Sequence, residues 1–356
     1  MQTFALPNFE VYMQTFAQEN KMTATIKDIA KAVGVNPSTV SRVINGTASI
    51  SEETKEKIMQ AMKELDYHPN SLARSLVNGN TFTIGLVIDA GNKDAFSNAF
   101  FIQSVIAIES VAQSKGYSVL ITNHSLSDSN NIKNLVQERK VDGIILPVQC
   151  MTGELIDLMT SSNFPFVVMG EPQDKRADIC WVDVDNEQGS RQAVECLIKS
   201  GYKSPMLLVE NRKTIFESKR IKGFEDECKA QKIKTSSIHT FSEEKIEKLI
   251  DAIQKKERET DSVICSNNVI AFKVLKAIKA RKICVPKQIG VITFDNYPLA
   301  EYMEPALSVV DVDTYKMGEI AAELLFRSIR GKEKKIKGRL VDVAIIERES
   351  TGRKTK

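Results

Sequence analysis

The chain has 356 residues, 42% of them hydrophobic and 27% charged, with a formal net charge of +3. Such a length allows two or three domains, and the composition is that of an ordinary soluble globular protein. The charge balance is so nearly neutral that any nucleic-acid surface has to be local.

No uninterrupted apolar run approaches the roughly 20 residues of a membrane span. The amino terminus lacks the basic-then-apolar layout of a signal peptide, so a cytoplasmic protein is expected. The six cysteines (Cys150, Cys180, Cys196, Cys228, Cys265, Cys284) lie far apart, in or beside apolar runs. They form no C-x-x-C pair and are expected to be buried, reduced thiols. With three histidines and no H-E-x-x-H, no metal site is expected.

In chain order, residues 1–21 come first. The pentapeptide MQTFA occurs at Met1–Ala5 and again at Met13–Ala17, ahead of Met22. This stretch is expected to be a disordered or cloning-derived extension outside the fold, with Met22 a natural start.

Residues 22–68 read as three short helices. Thr25 is a helix cap, with Asp28 returning the hydrogen bond. Ile26, Ile29, Ala30 and Val33 then share a face, and Gly34 suits the left-handed residue that ends a helix. Asn36 caps a second helix, with Pro37 in its first turn. Val40, Val43 and Ile44 point inward, while Ser38, Thr39, Ser41 and Arg42 point out. Ser51 caps a third helix with Glu52 and Glu53 in its first turn, and Ile58, Ala61, Met62 and Leu65 form its apolar stripe. A generic three-helix bundle fits the same pattern. Small hydroxyls beside one arginine favour a helix-turn-helix that reads DNA, because a plain solvated face more often carries Glu and Lys.

From Thr83 the pattern changes to short apolar runs alternating with amphipathic helices. TIGLVID, SVLITN, VDGIILP and PFVVMG form a first set; CWVDVDN, SPMLLVE, SSIHTF, DSVICS and IGVITFD follow. Helical stretches such as Phe101–Lys115 and Gln188–Lys199 lie between them. Strand–helix alternation implies parallel sheets covered on both faces, and nine or so units are too many for one sheet, so two α/β lobes are expected. Ligands of such sheets sit beyond the carboxyl ends of the strands, which selects Asp89, Asn123, Pro147, Gly170, Asn267 and Asp295. No nucleophile elbow, P-loop or G-x-G-x-x-G follows a strand, and the core reads as a sensor, not an enzyme.

TIKDIAKAVGV, STVSRVING and YHPNSLARSL, in this order and spacing, resemble the LacI/GalR family of transcription regulators. The resemblance runs from about Ile26 to Arg348. It implies a small all-α helix-turn-helix domain (22–68), a hinge (69–80) and a two-lobed α/β core (81–356) of the periplasmic-binding-protein-like type 1 form. The first lobe is expected over 81–183 and 312–334 and the second over 184–311 and 335–350, with crossings near Val184, Asp311 and Lys335. In the family the first, second and sixth residues of the recognition helix read the operator; here these are Pro37, Ser38 and Arg42. Proline cannot donate, so base reading is expected to lean on Arg42. Thr39, Ser41, Asn45 and Tyr67 complete the expected DNA-contacting set in this domain. In the hinge, Asn70, Ala73 and the minor-groove wedge Leu76 are expected to act only when folded on DNA; the segment is too short to be a stable helix alone.

For the effector cleft the resemblance implies Arg220 as the clamp, Asn267 and Asp295 as polar partners, Phe100 and Phe101 as an aromatic wall, and Asp89 at its strand end. Each has a plainer role open to it. Asp295 could be a turn residue, Arg220 could pair with Glu217 or Glu225, and Phe100 or Phe101 could be core. Within the family, YHPNSLARSLV, the IGLVID strand followed by a DAF run, and VDGIILP are most similar to maltose-operon repressors of Gram-positive bacteria. The implied protein is a homodimeric repressor on a pseudo-palindromic operator, with a maltose or maltodextrin effector and no cofactor. A global catabolite regulator of the same family, using a phosphorylated carrier protein, is an alternative. A transport-type sugar-binding protein is a distant one.

Overall fold

A computed structural model describes residues 24–45, 50–67, 79–89, 99–124, 130–173, 179–331 and 338–353. The chain divides into two units, Met1–Thr81 and Phe82–Lys356.

In the first unit, α1 (Ile26–Val33) starts at Thr25. The Thr25 backbone N–H and hydroxyl both donate to the Asp28 carboxylate, at 2.9 and 2.7 Å, which satisfies an amide that the helix leaves open. Gly34 ends the helix at φ 74° and ψ 32°, its N–H donating back to the Ala30 carbonyl; a side chain is strained in that conformation. Then comes α2 (Pro37–Asn45), with the Asn36 Oδ1 accepting from the Ser38 N–H at 3.1 Å. Finally α3 (Glu52–Glu64) is capped by Ser51, whose Oγ accepts from the Thr54 N–H. Ile29, Ala30, Val40, Ile58 and Ala61 are buried together, one set from each helix. Leu65 departs from the expected stripe and is 40% exposed. It is the residue after the last helical one, and the chain has already turned away from the helical face there.

The second unit holds two six-stranded sheets. The first has the order β11-β5-β4-β3-β1-β2, from β1 (Thr83–Asp89), β2 (Ser118–His124), β3 (Gly143–Pro147), β4 (Phe166–Met169), β5 (Trp181–Val184) and β11 (Arg339–Val341). The second has the order β12-β10-β9-β8-β6-β7, from β6 (Pro205–Val209), β7 (Ser237–Thr240), β8 (Ser262–Cys265), β9 (Gly290–Phe294), β10 (Ser308–Val312) and β12 (Val343–Ile346). Among the described residues β10 and β12 pair antiparallel and every other pairing is parallel. Strands such as β6 and β9 are buried along their whole length, which explains their unbroken apolar runs.

Helices cover both faces. On the first sheet α4 (Ala99–Ser114) and α11 (Thr314–Ile329) pack one side through Ile108, Ala112, Ala321 and Leu325. The other side takes α5 (Asn130–Gln137) and α6 (Gly153–Ser161) through Ile132, Leu135, Leu155 and Met159. On the second sheet α7 (Asn186–Lys199) and α8 (Ile215–Ala230) cover one face, and α9 (Glu243–Gln254) and α10 (Asn268–Ala280) the other.

The chain crosses between lobes after β5, after β10 and a third time at Asp342, between β11 and β12. The third crossing was expected near Lys335. It comes later because Arg339–Val341 still pairs in parallel with Val182–Val184 of the first sheet. The cysteines depart from the expected burial at two positions: four are buried, Cys180 is half-buried and Cys284 is exposed. Cys284 follows α10 in a loop, and its backbone N–H donates to the Gln288 side chain at 2.6 Å.

Each lobe has one helix pair in backbone contact. A Cβ at Gly223 of α8 would collide with the Glu187 carbonyl of α7, and one at Gly318 of α11 with the Ser104 carbonyl of α4. Neither obstacle is a side chain that can rotate away. Gly223→Ala and Gly318→Ala should therefore each destabilise the core by about 1–3 kcal/mol or more. Denaturant unfolding with an unchanged midpoint would refute this close packing.

Candidate functional site

On the first unit, Pro37, Ser38 and Arg42 are exposed along α2, with Thr39 and Ser41 half-exposed beside them. Among the described residues no ion pair holds Arg42. Its guanidinium is free to reach a guanine O6 and N7 together. Ser38 is less free, because its hydroxyl donates to Asn36 Oδ1 at 3.0 Å. In that state it offers an external group only its lone pairs. Tyr67 is half-buried; its ring packs on the small core and its N–H donates to Met62 O at 2.8 Å. The side chain of Asn45 and the whole of Asn70, Ala73 and Leu76 lie outside the described residues.

In the second unit the expected clamp residue is the centre of a buried polar network. Arg220, on α8, is 6% exposed. Its Nε donates to Asn186 Oδ1 at 2.8 Å and its Nη1 to the Ser266 carbonyl. The guanidinium lies over the Phe294 ring, 3.8 Å from the centroid, with Phe216 at 5.2 Å. These bonds leave Nη2 without a hydrogen bond among the described residues. Asn186 is fixed in turn, its Nδ2 donating to the Val184 carbonyl and the Asp183 carboxylate at 3.1 and 3.4 Å. Asp183 also accepts from the Glu171 and Val184 backbone N–H groups. Neither Glu217 nor Glu225 pairs directly with Arg220. Instead Glu217 is fully buried, and its Oε1 accepts from the Glu210 N–H and the Ser266 hydroxyl, both at 3.0 Å. Its Oε2 has no partner.

Charge explains how these groups coexist. Burial pulls the Arg220 guanidinium down from its ordinary pKa, opposed by Asp295, Glu217 and Asp183. Burial likewise pushes the Asp295, Glu217 and Asp183 carboxyls up, and Arg220 opposes each shift. One permanent cation thus faces three carboxylates, none of them in direct ion-pair contact with it.

Of the expected cleft residues, Arg220, Asn267 and Asp295 come together. Asn267 directly follows Ser266 and caps α10, its Oδ1 accepting from the Ile270 N–H at 2.9 Å. Its Nδ2 is left to meet a ligand. Asp295 directly follows β9 at φ 71°, a left-handed turn, so the turn role and the place near Arg220 hold together. The side chains of Asp89, Phe100 and Phe101 lie outside the described residues. Sequence reasoning missed Asp183, Asn186, Phe216 and Phe294. The run CWVDVDN carried the first two, as polar residues at the end of a strand where the chain changes lobes. Across the lobes, Lys219 of α8 pairs with Glu171, which follows β4, and Gln173 Nε2 donates to the Lys213 carbonyl at 3.1 Å.

A two-sheet α/β core with a polar cleft, joined to a helix-turn-helix, defines a ligand-responsive DNA-binding regulator. Residues 25–70 match the model for bacterial regulatory proteins of the lacI family, and residues 194–351 match the periplasmic binding protein-like domain. The regulator MalR of Streptococcus pneumoniae is 32% identical over 318 residues, covering 86% of this chain and 93% of that protein. The repressor PurR of Vibrio parahaemolyticus is 31% identical over 319 residues, covering 87% and 93%. Among solved structures, a CelR–cellobiose complex aligns with a TM-score of 0.68 at 25% identity, covering 92% of this chain and 99% of that one. The lac repressor dimer bound to operator shares the fold, with a TM-score of 0.72 at 23% identity over 92% and 99% of the two chains. The chain belongs to the LacI family of bacterial transcriptional regulators and is a DNA-binding regulator of transcription. No described helix is long and apolar enough to cross a membrane.

Glu217 gives a prediction with a definite sign. Burial raises its carboxyl above the ordinary value of 4.5, so the folded state binds its proton more tightly than the unfolded state. Its contribution to stability is full below the unfolded value and is lost as pH rises through the folded one. Glu217→Gln keeps the Oε1 acceptor and cannot ionise. Its melting temperature relative to the parent should therefore climb as pH rises from about 4 towards neutrality. A difference that stays flat across that range would show that Glu217 is not strained by ionisation.

Proposed function

We propose that the protein is a repressor of a sugar-utilisation operon, released from a pseudo-palindromic operator when a maltose- or maltodextrin-type sugar enters the interlobe cleft. The observation that carries the effector role is Arg220. A buried cation with an unused Nη2 stands beside Asp295, Asp183 and the Asn267 amide, over an aromatic ring. Sugar hydroxyls need this mixture of donors and acceptors. No nucleophile is required of such a cleft. The relative named MalR and the CelR structure holding cellobiose support a glucose disaccharide or oligosaccharide as the class.

On the DNA side, α2 is the recognition helix, and Arg42 carries most of the base discrimination. Pro37 offers apolar contact only, and Ser38 acts as an acceptor while its proton is held by Asn36. In a homodimer each half-site meets one such helix. Leu76, with Asn70 and Ala73, supplies the hinge contact to the minor groove. A sugar loosens the operator complex only insofar as it binds one arrangement of the lobes better than the other.

Maltose and maltotriose should raise the melting temperature of the full chain in a concentration-dependent way, and Arg220→Gln should abolish the rise. No shift with either sugar, alongside a shift with cellobiose, would move the assignment to another disaccharide. Arg42→Ala should cost about 1–3 kcal/mol on the cognate operator and relax preference at one base pair. Operator affinity unchanged in a fluorescence titration would remove Arg42 from the reading role.

A further inference from the structure

Away from the cleft, on the outer edge of the second lobe, a cavity of about 420 Å³ opens between β7 and α9. That volume lies in the range of small-molecule sites, about 300–1,000 Å³. Its floor includes the apolar side chains of Ile246 and Leu249, and its rim carries Arg212, His239, Lys245, Lys248 and Arg258 with no carboxylate in the lining. Elsewhere in this lobe arginines are matched to acids: Arg191 pairs with Glu187 and Asp226, and Arg281 with Glu247 and Asp251. On the cavity rim only Lys248 is paired, to Glu244 at 2.6 Å. Arg212, Lys245 and Arg258 have no ion-pair partner among the described residues. Gathering like charges around one concavity costs free energy that a bound anion would recover.

His239 gives the site a fixed polarity. Arg258 Nη1 lies 3.0 Å from its Nε2. A guanidinium has no acceptor, so Nε2 must accept and the ring carries its proton on Nδ1. Burial lowers the His239 pKa, and Arg258, Arg212 and Lys245 lower it further. The ring is thus held neutral. Arg212 Nη2 already donates to the Ile238 carbonyl and Arg258 Nη1 to His239, and the remaining guanidinium N–H groups are donors of the kind that match phosphate oxygens.

We propose that this cavity is a second, non-cleft ligand site that takes a small phosphate-bearing molecule, its phosphate between Arg212, Arg258 and Lys245 and its body against the Ile246–Leu249 floor. The size and apolar floor suit a small organic phosphate such as a sugar monophosphate. The site does not depend on the identity of the cleft sugar.

Isothermal titration of the full chain with glucose 6-phosphate, inorganic phosphate and glucose, at constant ionic strength, tests the site. Saturable binding of one glucose 6-phosphate per chain is expected. The double variant Arg212→Gln/Arg258→Gln should weaken it at least tenfold, and a saturating excess of maltose should change it less than twofold. Weaker but saturable binding of inorganic phosphate at the same residues also supports the site. Absence of saturable binding by the parent, binding unchanged in the double variant, or displacement of glucose 6-phosphate by maltose overturns it. Should the double variant fail to fold, the parent still decides. The His239 ring resonances, assigned with His239→Gln, should titrate at higher pH when glucose 6-phosphate is present, because an anion offsets the surrounding cations. A midpoint that does not move overturns the proposal.

Discussion

The core is organised around a guanidinium that it must keep satisfied. Removing a charge from water costs several kcal/mol even after relaxation, and breaking a buried charged contact on one side typically costs about 3–5 kcal/mol. Arg220 meets that cost with bonds to two separate chain segments. One is Asn186, the first residue of α7 just past the crossing from β5; the other is the Ser266 carbonyl at the end of β8. Phe294 beneath it belongs to a third segment, the end of β9. These elements must therefore hold a common register at the cleft edge. A ligand that bonds to Nη2 joins a position fixed in advance, which lowers the ordering cost of binding.

The same residue makes the crossing strand more than a linker. Asp183 and Asn186 lie on either side of the point where the chain leaves the first sheet, and they bond both to each other and to the backbone on the first-lobe side, at Glu171 and Val184. Through Asn186 the hinge is continuous with Arg220. Lys219, next to Arg220 on α8, meets Glu171 across the lobes. A shift of α8 relative to the first sheet would strain both contacts together. That is the kind of bistable joint through which a ligand's unequal affinity for two lobe arrangements can reach a distant domain.

How much of this could be read from the residues depends on the range of the interaction. Thr25 with Asp28, Gly34, Asn36 and Ser51 act within four residues of themselves, and the helix-turn-helix follows from them. The strands from β1 to β9 showed as short apolar runs, the inner ones because burial on both faces leaves no polar alternation. The last edge strands, β11 and β12, did not. Arg339–Val341 is mostly exposed, and its membership of the first sheet is decided by pairing with β5, more than 150 residues earlier in sequence. The third crossing was misplaced for that reason. The cleft divided in the same way. Arg220, Asn267 and Asp295 sit in motifs that resemblance could align, whereas the tie from Arg220 to Asn186 spans 34 positions and has no local signature.

The two concavities of the second lobe differ in a way that bears on what each can bind. Around Arg220 one cation faces several carboxylates, so a neutral ligand rich in hydroxyls can exchange hydrogen bonds with both signs without changing the local charge. A dianion there would meet Asp183, Asp295 and Glu217 and gain little. Around His239 the balance is reversed. Three cations have no ion-pair partner among the described residues and the one titratable ring is held neutral by its neighbours, so a polyol gains little and an anion gains most. On electrostatic grounds the proposed neutral sugar suits the cleft and the proposed anionic ligand suits the outer edge. Two chemically distinct ligands could act on one lobe without competing for a single residue.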